Sequence, residues 1–145
     1  MDILNDILAA VSNGINSLYP NLDIFSEFVP DDLPDTCFMI GFAGEPEIKK
    51  ELGKRYKASG KIDITYYVPK HSPTLNAEFN RVFLNLSLNL QRVTFNETTI
   101  SLFSHTHKVD DDILHDICSF STYIYANDNT PFINRMEAGY VGNKK

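Results

Sequence analysis

Apolar residues at Ile3, Leu4, Ile7, Leu8, Val11, Ile15 and Leu18 recur at helical spacing, with Asp2 and Asp6 near the start and Pro20 just past the end. That pattern predicts a first amphipathic helix, its acids placed where the helix dipole favours them. The period then drops to two: Leu22, Ile24 and Phe28 alternate with Asp23 and Glu27 until Pro30 ends the run. Alternation of this kind predicts a strand with one face covered. TCFMIGFA, after the turn-rich PDDLPD, is a continuous apolar run short enough to be a buried strand. EPEIKKELG reads as one or two helical turns or a loop.

A long ribbon follows, KRYKASGKIDITYYVP, in which Ile62, Ile64, Tyr66 and Val68 alternate with Asp63, Thr65 and Tyr67, and Gly60 marks a bulge or bend. Ser72 and Pro73 make an N-cap and N1 pair for a second helix whose stripe is Leu75, Phe79, Val82, Phe83, Leu86 and Leu90. Leu84 and Leu88 fall off that stripe, an arrangement expected of a helix covered on two sides. The last third reads as strands, QRVTF, TTISLFSHTHK and DILHDICSFSTYIYA, with VDDD as a turn and PFINRMEAGYVGNKK as a peripheral strand or loose end. Helices segregated from hairpin-linked strands predict an α+β fold: a mostly antiparallel sheet with two helices packed on one face. At 145 residues, with no internal repeat or linker, residues 1–145 are expected to form a single domain.

Charge adds a second pattern. Net charge is −6, which argues against tight binding of a phosphate backbone. Residues 1–48 hold nine acids and no Lys or Arg, whereas residues 49–61 hold six bases, Lys49, Lys50, Lys54, Arg55, Lys57 and Lys61, against Glu51. Such polarity suits head-to-tail contact between identical subunits, and equally two solvated faces of one monomer. Tyr56, Tyr66, Tyr67, Tyr123 and Tyr125 fall on the expected strands, where they could form an interface patch or pack across strands. The N-terminus lacks a basic region and a cleavage site, and no apolar run is long enough to span a bilayer, so the expectation is a protein made in the cytoplasm and free of membrane. Cys37 and Cys118 lie in apolar runs without metal-like spacing and read as buried, reduced thiols.

Little in the chain points to catalysis. His105 and His107, two apart on a strand, share a face, and His115 with Asp116 could lie across a hairpin, but no third metal ligand is fixed by spacing. Asp110, Asp111 and Asp112 run into Ile113 and Leu114 instead of a loop of oxygen ligands, and read as a charged turn. No nucleophile elbow, phosphate-binding loop or zinc-protease motif occurs. The reading is a non-enzyme without cofactor or metal.

The order of segments resembles the tail-terminator proteins of Gram-positive phages and phage-like particles. The matching pieces are the N-terminal helix, DIFSEFV leading to DTCFMI, Arg55-Tyr56, KIDITYYVP, SPTLNAEFNRVF, DDDILHDICSFSTYIY and Arg135-Met136-Glu137. In the last long strand the family continues from Leu-His into aromatic or aliphatic residues; here Leu114-His115 is followed by Asp116, which leaves open which face of that strand is buried. The resemblance implies a virion protein that forms a ring, of six copies, on the head-proximal end of the tail tube. Such a ring ends tube polymerisation, joins the tube to the neck or head-completion protein, meets the sheath if the tail contracts, and lets DNA slide through. The contact residues expected on that reading are the basic segment Lys49, Lys50, Lys54, Arg55, Lys57 and Lys61 and the acidic loop Asp31, Asp32 and Asp35. A head-tail connector of related fold and a cytosolic ligand-binding protein are the alternatives.

Overall fold

The computed structural model describes residues 3–26, 35–70 and 72–125. The elements run α1 (Ile3–Leu18), β1 (Asp23–Phe25), β2 (Cys37–Phe42), β3 (Glu47–Lys50), β4 (Arg55–Tyr67), α2 (Leu75–Asn89), β5 (Arg92–Phe95), β6 (Thr98–Asp110) and β7 (Ile113–Tyr125). The strands form one sheet in the order β1-β2-β4-β7-β6-β5, with β3 continuing along the β2 edge of β4. All pairings are antiparallel except that of β1 with β2. This is the expected α+β architecture.

Each long strand has one buried side. Ala58, Ile62, Ile64 and Tyr66 of β4 and Leu114, Cys118 and Phe120 of β7 join Phe38, Ile40, Ile100 and Leu102 in a core that also takes Ile7, Val11 and Ile15 of α1 and Phe79, Val82 and Leu86 of α2. Both helices therefore serve the same face, and burial of their apolar stripes holds them there. Helix α1 touches β2 and also β5, strands near opposite edges of the sheet. The sheet must curl around α1 for both contacts to exist. Closeness at the β5 edge needs Gly14: a Cβ there would lie 2.9 Å from Val93 Cγ1.

Several local expectations are corrected. The EIKK stretch is strand β3, paired with Lys57–Ser59 and Tyr56 of β4, because its carbonyls and amides complete the edge that β2 leaves at Phe42. Gly60 makes no bulge against β7; the register runs unbroken through Gly60↔Phe120. The Phe120 ring occupies the space of the missing side chain, since a Cβ would meet Phe120 Cε2 at 2.9 Å and the Pro46 Cα at 3.1 Å. Helix α2 begins later than the Ser72-Pro73 signal: Thr74 is its N-cap, without a side-chain capping bond, and Ser72 Oγ instead accepts the Thr74 N–H at 3.3 Å. Leu84 and Leu88 are exposed, so among the described residues α2 is covered on one side only. Strand β1 is only three residues long, with Leu22 and Ser26 of its expected run left outside the strand; residues 27–29 of that run, and the tail from residue 126 on, lie outside the described residues.

Two tight turns close the terminal hairpins. Asn96-Glu97 and Asp111-Asp112 all have positive φ, between 50° and 70°, as two-residue hairpin loops of type I′ require. Asn and Asp tolerate that region; Glu97 does so less readily. The one register shift lies in β6 between Phe103 and Thr106, where Ser104 has φ 56°. An extra residue there flips the side-chain parity, so Leu102 points to the core before the shift and His105 after it.

Candidate functional site

Strand β4 is the axis on which the expected contact residues are arranged. Lys49 and Lys50 lie on β3, Lys54 in the β3–β4 turn, and Arg55 and Lys57 at the start of β4. The fold thus brings five of the six bases to one end of the sheet. Lys61 is six residues farther along, opposite Ser119, roughly 20 Å from Arg55 at strand spacing. Lys49 faces Lys57 directly across the β3–β4 pair, and like charges so placed destabilise a ladder. The Arg55 guanidinium forms an ion pair with Glu51 at 2.9 Å and lies 4.7 Å over the Tyr123 ring. Beside it, exposed Leu52 and Tyr125 border an open concavity of 580 Å³ shared with Lys54 and Arg55. Of the tyrosines, Tyr123 and Tyr125 are exposed at this end, whereas Tyr56 and Tyr66 belong to the core.

The opposite end of the same strands is acidic. Because β4 pairs β7 from Arg55↔Tyr125 to Tyr66↔Leu114, the Asp110–Asp112 turn projects from the end distant from the basic hairpin. Asp35 is exposed just before β2, and Asp23 is exposed on β1; the Cys37↔Tyr67 and Asp23↔Cys37 pairings bring both to this end. Asp31 and Asp32 lie outside the described residues. Arg55 to Tyr67 is twelve steps of strand, so the two charged ends stand about 40 Å apart. Sequence reasoning saw the VDDD turn as charged but did not set it against the basic segment. The equal length of β4, β6 and β7 is the signal that could have done so.

Strand β7 resolves the family departure at Asp116. Its even-numbered side faces the core, and Asp116 is itself fully buried there. A buried carboxylate needs a partner. His105 supplies one, with Nδ1 2.8 Å from Asp116 Oδ2, while its Nε2 lies 3.1 Å from the Leu90 carbonyl at the end of α2. Both neighbours can accept, a setting that favours the doubly protonated ring, with each nitrogen donating. Burial pulls the His105 pKa down, but the hydrogen bond and charge of Asp116 and the Leu90 carbonyl outweigh it, and the pKa is raised above its ordinary 6.5.

The side chains of His105, Asp116 and Cys118 have ligand atoms within 4.8 Å of one another. Burial, followed by the charges of Asp116 and Asp63, pushes the Cys118 thiol up to about 12. A protonated thiol beside an imidazolium whose two N–H groups are already engaged is neither a nucleophile with its base nor a ready set of metal donors. The triad instead ties the C-terminus of α2 to β7. His107 packs edge-on against Phe83, and His115 bonds Asp63 at 3.0 Å and Thr65 at 3.2 Å on the outer face of the sheet, so the four expected candidates do not converge. Among the described residues no helix is long and apolar enough to cross a membrane.

The family described as "Phage tail terminator protein" matches residues 6–131. The chain belongs to the phage tail terminator family. That family is structural and non-enzymatic, and it sets this protein among the components of a phage tail. No curated protein matches the chain. Among the solved structures similar to this chain, one matches over 86% of this chain and 97% of its own, at 9% identity and a TM-score of 0.45. Membership spans the basic hairpin, the Asp110–Asp112 turn and the His105–Asp116 pair alike.

Proposed function

We propose that this tail terminator caps the head-proximal end of the tail tube as a ring of identical subunits, ending tube polymerisation and offering its other surface to the neck. The observation that carries the reading is the charge polarity along β4, with Lys49, Lys50, Lys54, Arg55 and Lys57 at one end and Asp35 at the other. Opposite charges at opposite ends of one subunit favour head-to-tail over face-to-face contact, and head-to-tail contacts close into rings when the rotation permits. Lys61, Asp31 and Asp32 complete the proposed contact set. Six copies is the size expected of the ring. Its partners are the tube protein below, the neck or head-completion protein above and the sheath in a contractile tail. The net charge of −6 suits a channel through which DNA slides without sticking.

Purified protein added to polymerising tube protein tests the capping role. Substoichiometric amounts are expected to stop elongation, with gold-labelled protein at one end of each tube. Uninterrupted elongation, or label scattered along the tube wall, would contradict it.

A further inference from the structure

On the ring reading the basic hairpin meets the acidic end of the next copy, and the Asp110–Asp112 turn lies at that end together with Asp35. We infer that the Asp110–Asp112 turn of one subunit docks against the Leu52–Arg55 end of a second copy of the same chain; this rests on the ring reading above. Three observations carry it. The two tips are the far ends of one set of paired strands, about 40 Å apart and pointing in opposite directions, so neither can reach the other within a subunit. Each tip joins charge to an apolar group: Leu52 is 89% exposed and Tyr125 60% exposed on the basic side, and Val109 is 41% exposed beside the acids. The Lys49↔Lys57 opposition costs stability within one subunit and is relieved when an acidic tip approaches.

Shape and rigidity agree with charge. The basic side is a shallow open depression bordered by Leu52, Lys54, Arg55 and Tyr125, and the acidic side is a narrow two-residue turn. Asp111 and Asp112 are held at φ 55° and 58° by the hairpin, so little order is lost when the tip docks. Arg55 is likewise preset by Glu51 and Tyr123. The contact is heterologous: a growing row of docked copies ends in one undocked basic tip and one undocked acidic tip, so addition continues until the ring closes. A turn in a shallow depression covers less than the roughly 1,200–2,000 Å² of a stable interface, so this contact sets register and association rate while broader surfaces supply the remaining area.

The experiment uses the full chain with and without purified tube protein, and reads assembly by sedimentation. K54E/R55E/K57E and D110K/D111N/D112N, the latter keeping at both turn positions a residue that tolerates positive φ, are each expected to stay folded by circular dichroism and to require at least tenfold more protein to assemble. An equimolar mixture of the two, one acidic and the other basic at both ends, is expected to recover assembly as alternating copies. In the otherwise unchanged chain, L52C/D110C is expected to give an intermolecular disulfide ladder under mild oxidation, a readout independent of how the reversals fold. Wild-type rings with no ladder, and reversals that assemble as the wild type does, would overturn this contact and leave the ring reading standing. A wild-type chain that stays monomeric both alone and with tube protein would overturn the ring reading, and this contact with it.

Discussion

Replacing His105 with Ala should be among the most damaging single changes in the protein. The His105 and Asp116 side chains retain 7% and 0% of their exposure, and the ring holds the carboxylate at 2.8 Å and the Leu90 carbonyl at 3.1 Å. Removing the imidazole leaves a buried carboxylate without its counter-charge and strips the end of α2 of its tie to β6. Breaking a buried pair from one side costs about 3–5 kcal/mol, a fifth or more of the roughly 5–15 kcal/mol that stabilises a typical domain. Replacing both partners with leucine removes the stranded charge and should land within about 1–2 kcal/mol of wild type. Urea unfolding followed by far-UV circular dichroism separates these cases. With a slope of about 2 kcal/mol per molar, a 4 kcal/mol loss lowers the midpoint by about 2 M. A His105→Ala midpoint within about 0.5 M of wild type, or a double leucine variant no better than the single, would refute the buried-ion-pair account.

The same pair sets a pH dependence. Because the folded pKa of His105 is raised, its contribution is fully present below about pH 6.5 and is lost as pH rises through the raised value; His105→Gln should remove that part of the slope in urea midpoints measured from pH 6 to 9. Gly60→Ala should cost about 1–3 kcal/mol by forcing a methyl against Phe120 and the Pro46 backbone, and Phe120→Leu in the same chain should cost less than the sum of the two single changes. Cys118, buried with its thiol pushed up to about 12, should react with a thiol reagent at pH 8 far more slowly in the folded chain than in guanidinium; equal rates would place it at the surface. Leu84→Asn and Leu88→Asn should each change unfolding stability by less than about 0.5 kcal/mol, because both side chains are exposed.

Wherever the apolar period ran long enough, the sequence was readable. The Ile3–Leu18 stripe, the Ile62–Tyr66 alternation and the runs behind β6 and β7 all became the elements expected, and their shared buried face follows from the same pattern. What failed was short or depended on pairing. Only Ile48 signals a covered face in EIKK, so its strand character comes from the free edge of β4 and not from its own residues. Ser72-Pro73 carries the composition of a helix start, yet the first helical bond, Glu78 N to Thr74 O at 3.0 Å, places the start two residues on. The His105–Asp116 contact was out of reach because it depends on the one-residue shift at Ser104, which leaves no mark in periodicity. The basic end of the candidate surface was legible as a charge run. At the other end Asp35 was read from the turn-rich PDDLPD, but the Asp110–Asp112 turn was not set beside it, because only the β4–β7 register places that turn opposite the basic hairpin.

Tail length in particles produced with and without this gene tests the capping role most directly. Loss of the protein should give headless tails whose tubes, seen by electron microscopy, are overlong and broadly distributed in length, and resupply of the wild-type chain should restore a single length. Tails of uniform, normal length in its absence would contradict the account.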